Sequence, residues 1–554
     1  MADREHAATG RGPRLVHARD ATARVAGRVA AGGGGSADRG IRPDRDRRPD
    51  RDRGHRDCNR DSRCCRVAPS APRQAPLAAT TRLRGETVKT NIPARTWPRD
   101  FVWGVSTSAF QVEGAAREDG RGPSIWDTRC TMPGKVHKGG SGDVSCDHYH
   151  RYPEDIAIMR SLGVDAYRFS ISWPRVLPAG RGKVNEAGMA FYDRLVDSLL
   201  AADIEPWACL YHWDMPQALE NLGGWAARDS AGWFADYSAL MAQRLGDRVK
   251  RWITFNEFSV FTLFGYAMDW CAPGLVDRTA NLRAIHHVNL AHGRCVDVLR
   301  NTVRDASIGA VHNRQVVRPA TPSDADRSAA AMLDAHWNLA FPEPQLRATY
   351  PALLAEAIEP WVQAGDMAQI CRRIDWLGLN HYGPIFAKAD PTTIWGFAWG
   401  DTPADAPVRE DIGWAIFPDA FRDELIELSL RYKLPVYVTE NGCGTLDKPD
   451  ATGAVHDPKR VAYLETYTAA MHDAISAGAD VRGYFAWSLL DSFEWGAGYT
   501  NPFGLVHVDF ETQKRTPKSS ARWYANFVEQ ARSTQANPAA VTPLRRRGVA
   551  NRRG

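Results

Sequence analysis

The chain has 554 residues, of which 44% are hydrophobic, 24% are charged and 19 are tryptophans, so disorder of the whole chain is excluded. The formal net charge of +5 is unevenly distributed: residues 1–95 carry +11 and residues 542–554 contribute five arginines, which leaves −11 for residues 96–541. This acidic body argues against a nucleic-acid-binding protein.

The first segment, residues 1–95, is dominated by Arg, Asp, Ala, Gly and Pro and contains no Phe, Tyr or Trp. Such a segment cannot bury enough apolar surface to offset its ordering entropy, which predicts a disordered leader. A start codon assigned too far upstream, with the native protein beginning near Asn91, would also explain it. A basic arm for nucleic acid is the alternative, but no aromatic residues are interleaved for base stacking. The arginine-rich residues 542–554 predict a disordered basic tail.

The sequence carries no signal for a membrane, a metal or a cofactor. No stretch of about 18 apolar residues predicts a membrane span, and no uninterrupted apolar N-terminal segment predicts secretion, so we expect a cytoplasmic location. The glycines at residues 32–35 follow no predicted strand and lack the G-x-G-x-x-G spacing of a dinucleotide site. Cys146, His148 and His150 imitate metal ligands, but no second cluster completes a four-ligand set. We therefore expect neither a metal nor a cofactor.

From Trp97 onward, β-branched and aromatic runs alternate with amphipathic helical stretches, which is typical of βαβ units and a parallel sheet. Between the first two runs, Ile156, Met159 and Leu162 share one helical face, and Gly163 follows where helices commonly end. The predicted strands are residues 101–111, 166–173, 205–213, 251–257, 307–313, 376–382, 435–441 and 481–490. Eight such units predict an α/β fold, a single (β/α)8 TIM barrel with long βα loops, over residues 96–541.

Chemistry-bearing side chains lie at or just beyond the ends of these runs, where a (β/α)8 barrel places its catalytic groups. They are Gln111, Trp173, His212, Asn256, Glu257, Asn380, Tyr382, Glu440, Trp487, Glu494 and Trp495. Taken singly, each has a structural interpretation, for example a salt-bridged carboxylate or a core tryptophan. Together, two carboxylates, polar side chains and aromatic faces are what cleavage of a glycosidic bond requires.

Eight motifs in these regions resemble those of glycoside hydrolase family 1, in the family's order. They are SAFQVEGA at 108–115, YRFSISWPR at 167–175, YHWDMPQ at 211–217, TFNEF at 254–258, GLNHY at 378–382, VTENG at 438–442, WSLLDSFEW at 487–495 and FGLVHVDFETQKRTPKSSARWY at 503–524. The resemblance extends from about Trp97 to about Phe527, in register with every predicted strand except the fifth. It implies a TIM-barrel β-glycosidase of the retaining type.

The resemblance also implies a role for each matching residue. Glu440 would attack the anomeric carbon, and Glu257 would protonate the leaving oxygen and then activate water. Asn256 would bind the sugar 2-hydroxyl. Arg168 and Asn380 would support the site, with Arg168 keeping the nucleophile ionised. The remaining substrate-binding residues would be Gln111, His212, Tyr382, Trp487, Glu494 and Trp495.

Three residues refine the expected substrate, and a fourth, Phe258, departs from the family pattern. Glu257 is a glutamate rather than the glutamine of the family's thioglucosidase branch, and Glu494 with Trp495 resembles the branch that acts on unphosphorylated sugars. Phe258 stands where the family most often has proline. We therefore expect a retaining exo-β-glycosidase that hydrolyses terminal β-D-glucosides, including those from cellulose, through a covalent glycosyl-enzyme.

Other functions remain open at this stage. A transglycosidase would use the same covalent intermediate with a sugar acceptor in place of water. A sugar-binding pseudoenzyme would lack one of the two carboxylates, and both are present here. The expected partner is a β-glucoside or oligosaccharide substrate, with no nucleic acid and no membrane, and the sequence leaves the oligomeric state open.

Overall fold

Eight parallel strands form a closed barrel in the computed structural model, which describes residues 95–403 and 413–535. The strands are β1 Val102–Ser106, β2 Ala166–Ser170, β3 Glu205–Cys209, β4 Arg251–Asn256, β5 Ser307–Asn313, β6 Trp376–Asn380, β7 Val436–Asn441 and β8 Val481–Trp487. They follow one another around the ring in chain order, and β8 pairs with β1 to close it. The predicted (β/α)8 barrel is confirmed.

The strand boundaries agree best at β5, which has the predicted bounds, and differ most at β1. The predicted strand 101–111 ends at Ser106, and Gln111 lies in the short helix Ala109–Val112. Trp173 likewise begins the helix Trp173–Val176 rather than ending β2. The hydrophobic pattern runs past both strand ends because the following loop residues are buried too, so apolar character did not mark the edge of the sheet.

The barrel interior is filled by aromatic rings. Trp207 packs against Trp376, Tyr437 and Phe485 with ring centroids 5.1, 5.0 and 4.9 Å apart, in edge-on or tilted orientations. These side chains come from β3, β6, β7 and β8 and are buried. The barrel is therefore a packed core rather than a pore, as is usual for this architecture.

Helices surround the barrel and pack against the outer face of the strands. In the helix His148–Leu162, Ile156, Met159 and Leu162 are buried, and Gly163 ends the helix with a φ of 71°, as predicted. The other α-helices are Ile125–Cys130, Glu186–Ala201, Gln217–Glu220, Ser230–Leu245, Phe258–Tyr266, Arg278–Thr302, Asp324–Asp334, Pro342–Arg347, Ala352–Ile358, Asp366–Ile370, Pro418–Tyr432, Pro458–Ser476 and Ser519–Ser533.

The long βα loops carry secondary structure of their own. Strands Val317–Pro319, Ile385–Ala389 and Phe397–Trp399 form one small sheet, and Val506–Val508 pairs with Arg515–Pro517. One turn, Ala335–Leu339, is a π-helix, and four turns, His137–Gly139, Gly224–Ala226, Glu359–Trp361 and Trp495–Ala497, are 3₁₀-helices. These loops build the surroundings of the strand ends.

The predicted leader and tail lie outside the described residues, apart from Arg95, which donates a hydrogen bond to the Ala469 carbonyl. Those two domain assignments stay predictions. Among residues 95–403 and 413–535, none of the helices has the length and hydrophobicity needed to cross a bilayer. The cytoplasmic location also stays a prediction.

Candidate active site

Glu440 lies near the end of β7, buried between a cation and a phenol. Arg168 Nη1 donates to its Oε1 at 2.6 Å, and the Tyr382 hydroxyl donates to its Oε2 at 2.8 Å. The register of β7 against β6 shifts between Val438 and Glu440, a local irregularity that re-aims side chains next to active sites. Burial raises the pKa of Glu440, and the two donors oppose that rise.

Gly442 allows the chain to leave β7 beside this carboxylate. A Cβ atom at this position would lie 1.8 Å from the Trp487 carbonyl oxygen, which belongs to the backbone and cannot move aside easily. The glycine of the TENG motif is thus required by the close approach of β7 to the end of β8.

Glu257 follows β4 directly and faces the same cavity. Its backbone has a φ of 54°, in the left-handed region that non-glycine residues rarely adopt, and it precedes the helix Phe258–Tyr266. Asn380 Nδ2 and Asn313 Nδ2 donate to its Oε1 at 2.9 and 2.8 Å. Burial, and then the charge of Glu440, raise its pKa to about 8.

The two carboxylates differ in the groups that surround them. Glu440 has a direct ion pair with Arg168, whereas the donors to Glu257 are neutral amides. The pair loses its first proton from Glu440, because an ion pair stabilises a carboxylate more than neutral donors do. An ionised carboxylate and a protonated one facing a single cavity are the two groups a retaining glycosidase needs.

Phe258, at the position where proline was expected, fills a buried aromatic pocket. Its ring lies 5.1 Å from Phe255, 5.0 Å from His312 and 5.3 Å from Phe341, centroid to centroid. It is the first residue of its helix, where a backbone N–H has no intrahelical acceptor and proline is tolerated. Phenylalanine thus replaces a conformational restraint by side-chain packing behind the acid/base candidate.

His212 and Asn256 form a polar wall beside the carboxylates. Asn256 Oδ1 accepts from Arg168 and Asn380, so its Nδ2 is the donor that faces His212 Nε2 at 3.0 Å. His212 must then carry its proton on Nδ1, and burial lowers its pKa well below the usual value, which keeps the ring neutral. Nδ1 has no hydrogen-bond partner within the described residues.

Within the described part of the chain, Glu494 carries a buried acceptor atom without a hydrogen bond, which complements the unpaired donor of His212. Its Oε1 is buried and accepts no hydrogen bond from the described residues, although Glu494 lines the cavity. Burial and the charge of Glu440 raise its pKa well above the usual value. A buried donor at His212 and a buried acceptor at Glu494 are costly unless a ligand satisfies them, and sugar hydroxyls can do both.

Tryptophan rings enclose this polar wall. The His212 and Trp487 rings stack with their centroids 5.9 Å apart and an angle of 22° between their planes, and the ring centroids of Trp213 and Trp495 are 4.6 Å apart. The cavity between them has a volume of about 490 Å³, enough for a small glycoside. Aromatic faces of this kind cover the apolar side of a pyranose ring.

The structure brings the sequence-predicted residues together in two layers. Glu257, Glu440, His212, Tyr382, Trp487, Glu494 and Trp495 line the cavity. Arg168, Asn256 and Asn380 contact them from behind. Gln111 is fully buried and donates from Nε2 to the Phe493 carbonyl at 2.7 Å, so it holds the Glu494 loop and is not part of the cavity lining.

Sequence reasoning missed Asn313 and Gln315. Asn313 ends β5 and donates to Glu257, and Gln315 donates to Asn313 at 2.8 Å. Asn313 was already the last residue of a predicted strand, so the same end-of-strand rule would have found it. The fifth strand was passed over because the motif resemblance did not cover it.

Aromatic residues from the segments between the barrel strands also line the cavity, and we call them the aromatic mouth: Phe264, Trp270, Trp337, Trp399 and Trp414. The ring centroid of Trp270 lies 5.0 Å from that of Phe264 and 5.2 Å from that of Trp399, and the Trp270 side chain is half exposed. We call the opposite end, made of Arg168, Asn256, Glu257, Asn380 and Glu440, the catalytic floor. All charged residues that line the cavity within the described part of the chain lie towards the floor.

The residues that imitate metal ligands each have another partner. Cys146 lies 3.1 Å from the Asp491 carbonyl, His148 pairs with Asp155 and His150 pairs with Asp147. Their side chains are therefore engaged in separate contacts, and the described residues contain no group of three or more possible ligands.

Two carboxylates in different surroundings at the strand ends of a (β/α)8 barrel, beside unpaired polar atoms and aromatic walls, are typical of a glycoside hydrolase. The chain belongs to glycosyl hydrolase family 1, whose family model matches residues 94–533.

Characterised relatives agree with this assignment. β-Glucosidase A of Thermotoga maritima is 43% identical over 444 residues, which cover 78% of this chain and 98% of that protein. The 1,4-β-D-glucan glucohydrolase of Thermotoga neapolitana is 42% identical over 440 residues, 78% of this chain and 98% of that protein. A bifunctional β-D-glucosidase/β-D-fucosidase of Bifidobacterium breve is 40% identical over 456 residues, again 78% and 98%.

Solved structures give the same result. The Thermotoga maritima β-glucosidase in complex with glucoimidazole superposes with a TM-score of 0.75 and 43% identity, covering 79% of this chain and 99% of that one. The predictions of the family, of the TIM barrel and of a retaining glycoside hydrolase of the β-glucosidase type are confirmed.

Proposed function

We propose that Glu440 is the nucleophile and Glu257 the acid/base of an exo-acting β-glucosidase. In the first step Glu440 attacks the anomeric carbon, the glycosidic bond breaks, and Glu257 transfers its proton to the leaving oxygen. In the second step Glu257 takes a proton from water, the water oxygen bonds to the anomeric carbon, and the ester to Glu440 breaks. Two inversions give a β-configured product.

The observation that carries this assignment is the asymmetry of the two carboxylates. Arg168 and Tyr382 stabilise a charged Glu440, as a nucleophile requires, whereas Glu257 has a pKa of about 8 and is protonated at neutral pH. Forming the ester removes the charge of Glu440, so the pKa of Glu257 falls at the step in which it must act as a base.

We further propose that the substrates are unphosphorylated β-D-glucosides, including the short β-1,4-linked glucans released from cellulose. His212 Nδ1 and Glu494 Oε1 provide a donor and an acceptor for sugar hydroxyls, and no cationic side chain lines the cavity within the described residues to bind a phosphate. The relative named 1,4-β-D-glucan glucohydrolase supports the glucan substrate, and the bifunctional relative supports some activity on β-D-fucosides.

The test uses azide as an external nucleophile. Glu440→Gly should lose turnover by about 10⁵-fold and recover it with azide on dinitrophenyl β-glucoside, forming the α-glucosyl azide because only one displacement remains. Glu257→Gly, the matched variant, should instead give the β-glucosyl azide, because azide then attacks the glycosyl-enzyme. A β-azide from Glu440→Gly would exclude Glu440 as the nucleophile.

A further inference from the structure

Glu257 accepts both of its hydrogen bonds on one oxygen. Asn313 and Asn380, register partners on neighbouring strands β5 and β6, each direct Nδ2 at Oε1. Within the described residues, no hydrogen bond reaches Oε2. An oxygen that accepts two N–H donors has no room for a proton between them. The proton that Glu257 transfers therefore belongs on Oε2.

This arrangement depends on which way each amide points, since a 180° turn of an Asn side chain exchanges its donor for its acceptor. Asn380 is held in one sense because its Nδ2 donates to Asn256 Oδ1, an acceptor fixed by Arg168, and the Thr439 hydroxyl then donates to its Oδ1 at 2.7 Å. Asn313 is held in the same sense because its Oδ1 accepts from Gln315 Nε2 at 2.8 Å. The second restraint comes from a residue that no sequence motif identified.

The backbone of Gln315 is held by two hydrogen bonds with the side chain of Asn338. Its N–H donates to Asn338 Oδ1 at 3.2 Å, and Asn338 Nδ2 donates to its carbonyl at 2.8 Å. Asn338 lies in the π-helix Ala335–Leu339, an irregular turn that is frequent at functional sites, and its neighbour Trp337 is part of the aromatic mouth. The π-helix that carries Trp337 of the aromatic mouth thus also holds the backbone of Gln315 in place.

We infer that Gln315 is a positioning residue that, through Asn313, directs the acidic proton of Glu257 to Oε2. The inference rests on the proposed acid/base role of Glu257. The titratable groups that face Glu257 are Glu440, Arg168, Tyr382 and Cys271. Gln315 makes its side-chain hydrogen bond with Asn313, so a change at Gln315 acts on Glu257 through the amide and not through those groups.

The test compares two substitutions with opposite chemistry. In Gln315→Glu the new carboxylate accepts from Asn313 Nδ2 and turns Asn313 Oδ1 towards Glu257, which places the proton on Oε1. Cellobiose hydrolysis should fall about tenfold, glycosylation by dinitrophenyl β-glucoside should stay within about twofold, and the alkaline limb of kcat/KM should move up by about one pH unit. Gln315→Met removes the hydrogen bond to Asn313 and adds no charge. We therefore expect smaller changes in the same direction in the rate of cellobiose hydrolysis and in the alkaline limb.

The matched control is Gln345→Met. Gln345 is also buried and donates from Nε2 to an Asn Oδ1, that of Asn289 at 2.9 Å, but it does not line the cavity. This variant should change neither the alkaline limb of kcat/KM nor the ratio of the rates on the two substrates. Equal losses on both substrates in Gln315→Glu, or an unmoved limb in both Gln315 variants, would overturn the inference. If Glu257→Ala also slows both substrates equally, the proposed acid role of Glu257 is wrong. If Glu257→Ala slows cellobiose hydrolysis far more than glycosylation by the dinitrophenyl glucoside, only the inferred role of Gln315 is wrong.

Discussion

The catalytic floor and the aromatic mouth lie at opposite ends of one cavity and differ in how their side chains are held. On the floor, Arg168, Asn256 and Asn380 link the carboxylates through hydrogen bonds between strand ends, and all are fully buried. At the mouth, Trp270 is 50% and Trp414 is 42% exposed, and both are carried by loops. Strand ends therefore hold the proposed catalytic groups, and the exposed aromatic residues of the mouth lie in loops.

Among substitutions that keep the nucleophile, the largest effect should come from removing the acid on the floor. Glu257→Ala should slow cellobiose hydrolysis by about 10³-fold, because the leaving alkoxide then receives no proton. Glycosylation by dinitrophenyl β-glucoside, whose leaving group needs no proton, should change far less. Steady-state and pre-steady-state rates on the two substrates measure the difference. Equal losses would show that Glu257 is not the acid.

A smaller effect should follow from neutralising the partner on the floor. Glu440→Gln removes the nearby charge that helps to raise the pKa of Glu257, so this pKa should fall from about 8 by about two units, with burial keeping it above the ordinary value. In the wild type the alkaline limb of activity should accordingly lie near pH 8, because Glu257 must be protonated to act.

Carbon NMR of labelled glutamates measures this shift directly. Glu494→Gln is the matched control, since Glu494 interacts with Glu440 and is not among the largest causes of the raised pKa of Glu257. It should leave the titration of Glu257 nearly unchanged. A pKa for Glu257 that is unchanged or higher in Glu440→Gln would mean that the carboxylates are not neighbours.

The smallest effect should come from the mouth. Trp270→Ala should raise KM for aryl β-glucosides by about fivefold with kcat nearly unchanged, because it removes a stacking surface of about 1 kcal/mol and no catalytic group. Trp233→Ala, at a ring that contacts Arg181 and does not line the cavity, is the control. A large loss of kcat in Trp270→Ala would show that the mouth and the floor are coupled.

Much of the floor could be predicted because most of its residues lie at or next to a strand end. Asn256 and Asn380 end β4 and β6 and Glu440 is the last but one residue of β7, so reading the last one or two residues of each strand collected them. Arg168, in the middle of β2, came only from the family resemblance. Gln111 comes instead from a short helix after β1, where it donates to the Phe493 carbonyl and approaches Glu494, and its role in substrate binding stays a prediction. A buried side chain on a short helix can face either way, and local pattern does not decide which.

The amino-acid sequence by itself determined the barrel, its eight strands and the identity of the two carboxylates, since periodicity and strand order are properties of the chain. The surroundings of the two carboxylates, on which the proposed position of the proton rests, came only from the tertiary structure. Arg168 and Glu440 are 272 positions apart, and Glu257 is 123 positions from Asn380. Protonation depends on burial, on ion pairs and on the sense of amide side chains, all of which arise only when distant strand ends meet.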